Sequence, residues 1–340
     1  MTPRRSKVQK FDKGFRVFVH AAVIRLPHLP AQLLAGCCFV ETFFESRTSS
    51  GDMSKPKAPL IERVAELAMK LGQRHLADYG ATTSRHDFTQ RQLLSCLILR
   101  AYLKTTYRGV LEIIEVSPSL QRCLGLNGKL PHYTTLQKFS ARSQVLAIAQ
   151  KLVAEIGQVA AAQKPGQAAA MDATGMALTT ASDYFLTRKG GKVRKWVKVS
   201  VLVLCGSLLP LGLEVELGAV NDRVHAPSLL EQAQAVAKPT RLYADAGYDS
   251  EPLHVQCRQE WEVESVIKPI QRRADGKRGG KWRALMSPEY LQASGYGKRW
   301  AVESFFSGLK RTTGDALQSR RPTQMVAEAT FRLLAYVLRR

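Results

Sequence analysis

The stretch Lys164-Pro165-Gly166-Gln167 separates two kinds of residue pattern, and no other feature constrains the fold as much. A Pro-Gly pair interrupts helix and strand alike. Before it, apolar residues recur at helical spacing: Leu60, Ile61, Val64, Leu67, Ala68 and Leu71 fall on one face of an amphipathic helix. A second helix is expected after Asp87, which can cap it, with Leu93, Leu94, Leu97, Ile98 and Ala101 inward. Residues 107–116 read as a third, and Ser117-Pro118 as the N-cap and first-turn proline of a short fourth. Pro131-His132-Tyr133-Thr134-Thr135 opens another helix through Leu136 and Phe139. Residues 53–163 are therefore expected to be a helical domain without strands.

Beyond the breaker the period changes. Residues 167–172 are short and apolar and end on an acid, and residues 195–205 alternate with Val197, Val199, Val201 and Val203 on one face. Gly206-Ser207 reads as a turn into a second strand over 208–217. A helix is expected over 227–237, and a strand over 240–245 again ends on an acid. A helix over 250–260 and a strand over 262–267 follow. Three successive strands, then alternating helix and strand, describe a mixed α/β sheet over 164–340. No residue run repeats at a fixed period, which removes a solenoid.

Composition fits this reading. A chain of 340 residues has room for about two domains. With 45% hydrophobic and 23% charged residues it is not disordered throughout and can bury a core without disulfides. The balance of 50 Lys+Arg against 28 Asp+Glu gives a net charge of +22. Such a charge repels itself unless a polyanion is near, so nucleic acid is the first partner to consider. Arg85, Arg91, Arg100, Lys104 and Arg108 make the helical part basic. Between 268 and 283, Lys268, Arg272, Arg273, Lys277, Arg278, Lys281 and Arg283 stand against the single acid Asp275, with three glycines. A solvated loop is the plain alternative there, but seven basic residues in sixteen favour phosphate contact. The six cysteines (Cys37, Cys38, Cys96, Cys123, Cys205 and Cys257) show no metal-site spacing, and the histidines are dispersed. Neither zinc nor a disulfide framework is expected, and a reducing cytoplasm is the default compartment.

Residues 1–52 read differently. A basic start leads to Leu34-Ala35-Gly36-Cys37, which matches a lipoprotein cleavage box, but Arg25, Pro27, His28 and Pro30 interrupt the apolar stretch before it. A membrane span is not expected. Residues 1–52 read instead as an extension upstream of a true start near Met53.

Two acids close apolar runs: Asp172 in Ala-Met-Asp-Ala-Thr-Gly, and Asp245 in Tyr-Ala-Asp-Ala-Gly-Tyr-Asp-Ser. Open α/β sheets build sites at the C-terminal ends of their strands. Residues 296–311 read as one helix, and at 100° per residue Tyr296, Arg299 and Lys310 fall within about 40° of Glu303. Val302, Phe305, Phe306 and Leu309 form an apolar stripe beside them, which would aim Glu303 at the strand ends. Three convergent carboxylates on a basic protein point to divalent cations of the Mg²⁺ kind, which take carboxylate and water oxygens and leave room for phosphate. Two such ions serve phosphodiester transfer, with Arg299 and Lys310 gripping phosphates. A surface helix laced by pairs such as Arg299–Glu303 is the plainer alternative.

The spacing Tyr296-x2-Arg299-x3-Glu303-x6-Lys310, with Asp172-Ala-Thr-Gly and Ala244-Asp245-Ala-Gly-Tyr248-Asp249-Ser250 upstream, resembles the bacterial insertion-sequence transposases of the DDE superfamily. The resemblance runs over about residues 90–340 and includes Pro131-His-Tyr-Thr-Thr-Leu. It implies a ribonuclease H-like catalytic domain over 164–340, preceded by an all-helical DNA-binding domain. It also implies two Mg²⁺ ions, with Mn²⁺ as a substitute, bound by Asp172, Asp245 and Glu303. Tyr296, Arg299 and Lys310 are then expected on terminal DNA, and the strand of Asp245 beside that of Asp172. Water would attack at the element's ends, and the freed 3′-hydroxyls would attack target DNA. The partners implied are double-stranded DNA and a second copy of the chain assembled on it. A C-terminal binding tail is expected to be short, and 245–303 has no room for the β-rich insertion of some relatives. An inactive or repurposed DNA-binding copy and a generic metal nuclease are the other function classes. The basic surface predicts DNA affinity that falls steeply with salt, because many phosphates are neutralised; a flat titration would contradict it.

Overall fold

The computed structural model describes residues 58–83, 85–178, 196–218, 220–270 and 279–340. The expected extension at 1–52 and four members of the basic stretch, Arg272, Arg273, Lys277 and Arg278, lie outside them. Gly51–Arg340 clusters as one unit.

Among the described residues six helices come first. They are α1 (Leu60–His75), α2 (Gln90–Tyr102), α3 (Tyr107–Glu115), α4 (Pro118–Cys123), α5 (Tyr133–Ser140) and α6 (Val145–Gln163). The α1 stripe is buried as its spacing predicts, from Val64 to Leu71. Asp87 does not cap α2: it pairs with Lys129 at 2.5 Å. Thr89 is the cap, in a reciprocal box with Gln92 that satisfies two free backbone donors.

One sheet follows, built from β1 (Ala169–Leu178), β2 (Trp196–Leu204), β3 (Pro210–Leu217), β4 (Arg241–Ala244), β5 (Glu264–Ile267) and β6 (Ala316–Leu317). Its order is β3-β2-β1-β4-β5, with β6 also on β1. The first three strands run antiparallel; β4 runs parallel to β1, and β5 to β4. Val197, Val199, Val201 and Val203 are all buried on one face, as the alternation predicts. β1 is longer than expected. Asp172 is its fourth residue, not its end, because β2 keeps pairing as far as Ala177↔Trp196. The parallel ladder to β4 does stop at Met171↔Ala244, just before both acids.

Helix α6 packs on β3. There Gly157 meets Pro210: a Cβ at 157 would lie 2.7 Å from the Pro210 carbonyl, so only glycine permits this approach. By length and composition alone α6 could cross a membrane, but its buried residues face β3 and the last helix. Helix α7 (Asp222–Gln234) covers β3 from another side. It begins five residues before the expected start, because Asn221 caps it, and Pro227 lies inside it. His225 fixes it by bonds to Ser200 on β2 and Glu216 on β3, both 2.8 Å.

Between β4 and β5 lies α8 (Glu251–Val255), continued by a wider turn over Gln256–Glu260. Short helices α9 (Lys281–Ala284) and α10 (Pro288–Ala293) lead to α11 (Trp300–Thr313). The last helix, α12 (Pro322–Arg339), has no counterpart among the sequence expectations. It is buried over most of its length and touches α1, α2, α6, α11 and β3, so helices and sheet share one core. Within it Glu328 and Arg332 pair at 2.7 Å, both nearly buried. Glu328 accepts from the Gln318 and Ser319 N–H groups, and Arg332 donates to the Gly314 and Ala316 carbonyls. Burial alone would raise the Glu328 carboxyl, but Ser319, Arg332 and the backbone donors hold it below its ordinary value. Glu328→Ala strands a buried guanidinium and is expected to cost about 3–5 kcal/mol in denaturant unfolding; a cost near zero would show that the pair does not anchor residues 314–319.

Candidate active site

The end of the β1–β4 ladder sets the geometry. Because Met171 pairs with Ala244, the next residues on the two strands are Asp172 and Asp245, neighbours at the spacing of adjacent strands, about 5 Å. Asp245 then caps a tight turn over Ala246–Tyr248, its Oδ1 accepting from the Gly247 N–H at 2.9 Å. The Asp172 Oδ1 accepts from the Ala173 N–H at 2.8 Å.

Residues 296–311 are not one helix. Tyr296–Arg299 is a tighter 3₁₀ turn and α11 begins at Trp300, so a wheel at 100° per residue does not hold across the junction. The turn still delivers its side chains. The Tyr296 Oη donates to the Ala244 carbonyl at 3.1 Å, beside Asp245. The Tyr243 Oη reaches back from β4 to the Ser294 carbonyl at 2.9 Å, which ties strand and turn together. Val302, Phe305, Phe306 and Leu309 are buried, as their spacing predicts, and seat α11 against the sheet.

Arg299 joins the acids. Its Nη2 donates to Glu303, and its Nη1 lies 3.6 Å from Asp172 Oδ2. Burial pushes the Asp172 carboxyl up to about 6; the Ala173 N–H and Arg299 pull it down, while Asp245 and Asp222 push it further up. Burial also raises the Tyr296 phenol, with Arg299 opposing and the acids Asp245, Asp172 and Glu303 assisting. Asp172, Asp245, Glu303, Tyr296 and Arg299 thus form one electrostatic group.

A fourth acid was not foreseen. Asp222, in the first turn of α7, forms an ion pair with the largely buried Lys198 of β2. A Cβ on Gly247 would sit 3.0 Å from Asp245 Oδ1 and 3.2 Å from Asp222 Oδ2, so glycine leaves the space both carboxylates use. Asp222 follows Asn221 in a sequence that reads only as a helix start, and no spacing links it to the other acids. Tyr248 was likewise missed as a site residue. Burial raises its phenol, and Asp222, Asp172 and Asp245 add to the shift. Its Oη is buried without a hydrogen-bond partner.

Among the described residues no three Asp, Glu, His or Cys side chains lie close enough to hold an ion as they stand. Arg299 provides the positive charge between Asp172 and Glu303 instead. The donor set nonetheless suits a hard divalent cation: every donor is a carboxylate oxygen, one acid is short of countercharge, and an orphaned hydroxyl beside them needs a water or ion partner. Glu303 could join such an ion only with Arg299 turned away.

The other foreseen residues lie apart. Lys310 is about two turns beyond Glu303 on α11 and makes no ion pair with a described residue. Of the basic stretch, Lys268 and Lys281 are exposed, the latter over the Trp282 ring. Arg283 departs from the expectation of phosphate contact: it forks onto the fully buried Asp249 with two bonds of 2.7 Å. Burial would raise Asp249, but Arg283 and the Ile270 N–H hold it below its ordinary value. Glu251 accepts from the Trp282 and Arg283 N–H groups, so two acids anchor the return of this stretch.

A mixed-sheet α/β protein with acids gathered at the end of a parallel ladder is the class these observations define. The chain belongs to the family described as the transposase DDE domain, which matches residues 163–338, just over half of it. A cryo-EM structure of a piggyBac transposase synaptic complex with hairpin DNA is similar, at 10% identity and a TM-score of 0.42, covering 82% of this chain and 71% of that one. No curated protein matches the sequence.

The Asp172 environment has a pH signature. Its carboxyl titrates at about 6 when folded, against 3.8 ordinarily, so between those values the native state holds a proton that the unfolded chain has released. Stability from this group is present below the lower value and lost as pH rises through the upper one. Asp172→Asn should therefore be more stable than the wild type at about pH 8, by up to about 3 kcal/mol, with the gain gone near pH 4. Denaturant midpoints at both pH values measure it; a pH-independent difference would refute the shift.

Proposed function

We propose that this chain is a DNA transposase that cleaves at the terminal inverted repeats of an insertion sequence and joins the 3′-hydroxyl ends to target DNA. What supports the reading is that Arg299 bridges Asp172 and Glu303 while Asp245 lies against Asp172 at the end of the β1–β4 ladder, in a chain of the DDE-domain family. The sheet order, three antiparallel strands followed by two parallel ones, supports a ribonuclease H-like catalytic domain over 164–340. The basic helical part over 53–163 is then the DNA-binding domain, and two copies of the chain acting on paired ends form the working assembly.

Asp172, Asp245 and Glu303 would hold two Mg²⁺ ions, which supply charge stabilisation and an activated attacking oxygen in phosphodiester transfer. The chain's own residues do the positioning. Lys198 holds Asp222 beside Asp245 and offsets part of the negative charge. Tyr296, tied to the Ala244 carbonyl, presents its ring next to the acids, where terminal DNA would lie. Arg299 bridges Asp172 and Glu303 without substrate; a scissile phosphate would offer its fork two oxygens and, by drawing it aside, free both carboxylates. Lys310, without a described ion pair, is available to a neighbouring phosphate as a point charge.

A DNA-binding protein without cleavage is the second reading, favoured by the Arg299 bridge where an ion would sit. Purified protein with Mg²⁺ and a duplex bearing the flanking inverted repeats separates the two. Nicking confined to the repeat ends, reduced at least about 100-fold by Asp172→Ala, is expected; Arg299→Ala should lose more activity than Arg273→Ala. Mg²⁺ should also raise the melting temperature of the wild type and not of Asp172→Asn. Binding without nicking would leave the second reading, and cleavage indifferent to end sequence would mark a general nuclease.

A further inference from the structure

Where α2 and α3 meet the segment after α11, the fold buries a positive charge without an anion. Arg100, near the end of α2, is only 7% exposed. Its Nε has no hydrogen-bond partner, and no carboxylate pairs with it among the described residues. The guanidinium lies over the Tyr107 ring, 4.1 Å from its centroid. That ring is fixed in turn: its Oη donates to Gln324 Oε1 at 2.7 Å and is 2.9 Å from Ser140 Oγ. Gln324 Nε2 donates to the Gln137 carbonyl at 2.9 Å, and both Gln324 and Ser140 are buried. Arg100 therefore stands in a socket built from α2, α3, α5 and α12.

Two cavities meet at this side chain. One, of about 250 Å³, also contains Asp315 and the Glu328–Arg332 pair. The other, of about 380 Å³, is lined by Arg100, Tyr107, Arg320, Arg321 and uncharged residues, with no carboxylate. Arg320 and Arg321 are exposed and pair with no described acid. A desolvated guanidinium is costly unless an anion completes it. Stacking on Tyr107 leaves its forked edge free, the edge that matches two oxygens of a phosphate.

We propose that the cavity over Arg100 receives a backbone phosphodiester of DNA, with Arg320 and Arg321 holding the adjoining phosphates at its rim. The assignment rests on the DNA-processing reading above and adds to it a contact outside the acidic cluster. The rim segment follows β6, which pairs with β1, so the bound backbone is tied to the strand that carries Asp172.

The test measures affinity for a random-sequence duplex across a salt series, since a phosphate contact does not depend on sequence. Arg100→Met should bind about tenfold more weakly, with the slope of log affinity against log salt reduced by about one. Without DNA it should melt no lower than the wild type, because a buried unpaired charge has been removed. Arg100→Lys should recover only part of the affinity. If Arg100→Met does not fold, the exposed pair Arg320→Gln/Arg321→Gln carries the test, with a slope reduced by about two. Wild-type affinity and slope in these variants, while repeat-end nicking persists, would overturn this site and leave the transposase reading standing. Wild-type protein that binds no duplex would remove both. Inorganic phosphate that raises the melting temperature through Arg100, with duplex affinity unchanged by Arg100→Met, would assign the cavity to free phosphate and overturn the DNA contact.

Discussion

The site depends on where one hydrogen-bonded ladder stops. β1 and β4 pair in parallel only as far as Met171↔Ala244, and each strand has an acid as its next residue. Two carboxylates at that spacing, partly removed from water, repel one another and lose hydration together. The fold meets this with cations from both sides: Arg299 from the turn before α11, and Lys198, through Asp222, from β2. Countercharge is still incomplete, as the raised Asp172 carboxyl and the orphaned Tyr248 hydroxyl both indicate. The surrounding structure serves to keep these groups from drifting apart. Tyr243 and Tyr296 cross-link β4 to the turn, and the apolar stripe of α11 fixes the helix that carries Glu303.

Much of the fold was legible because periodicity is a strong signal over long elements. The alternating valines of β2 and the stripes of α1 and α11 lie where their spacing places them. The failures are local and have causes. The length of β1 is set by its partner β2, and an acid followed by Gly175 reads as a strand end when the partner is unseen. Capping chemistry misled at Asp87, where the better-placed Thr89 performs that role, and α7 starts earlier than expected because Asn221 caps it. Helix α12 carries a polar stripe, Gln324, Glu328 and Arg332 at i, i+4 and i+8, but this stripe is buried instead of solvated, since neighbours cover the helix on nearly every side.

The site was readable where it lies in local motifs and hidden where it does not. Asp172, Asp245 and Glu303 each stand in a distinctive short context; the fold sets the first two side by side and links Glu303 to Asp172 through Arg299. Asp222 arrives there only through the packing of α7, a tertiary fact with no trace in its neighbours in sequence. The basic stretch shows the opposite error. Counting charges treats all cations as free, yet Arg283 is engaged by a buried acid that lies 34 positions away. Arg100 was one of several basic residues on a helical segment; that it is both buried and unmatched emerges only when α12 and residues 318–321 close over it.

Helix α12 has a consequence for how this protein comes into being. It is the wedge between α2, α6 and the sheet, and it is made after every other described element. Until it emerges during synthesis, the parts of α2, α6 and β3 that it covers lack that cover. Completion of the shared core must therefore wait until α12 itself has been translated, and the surfaces it covers stay open until then.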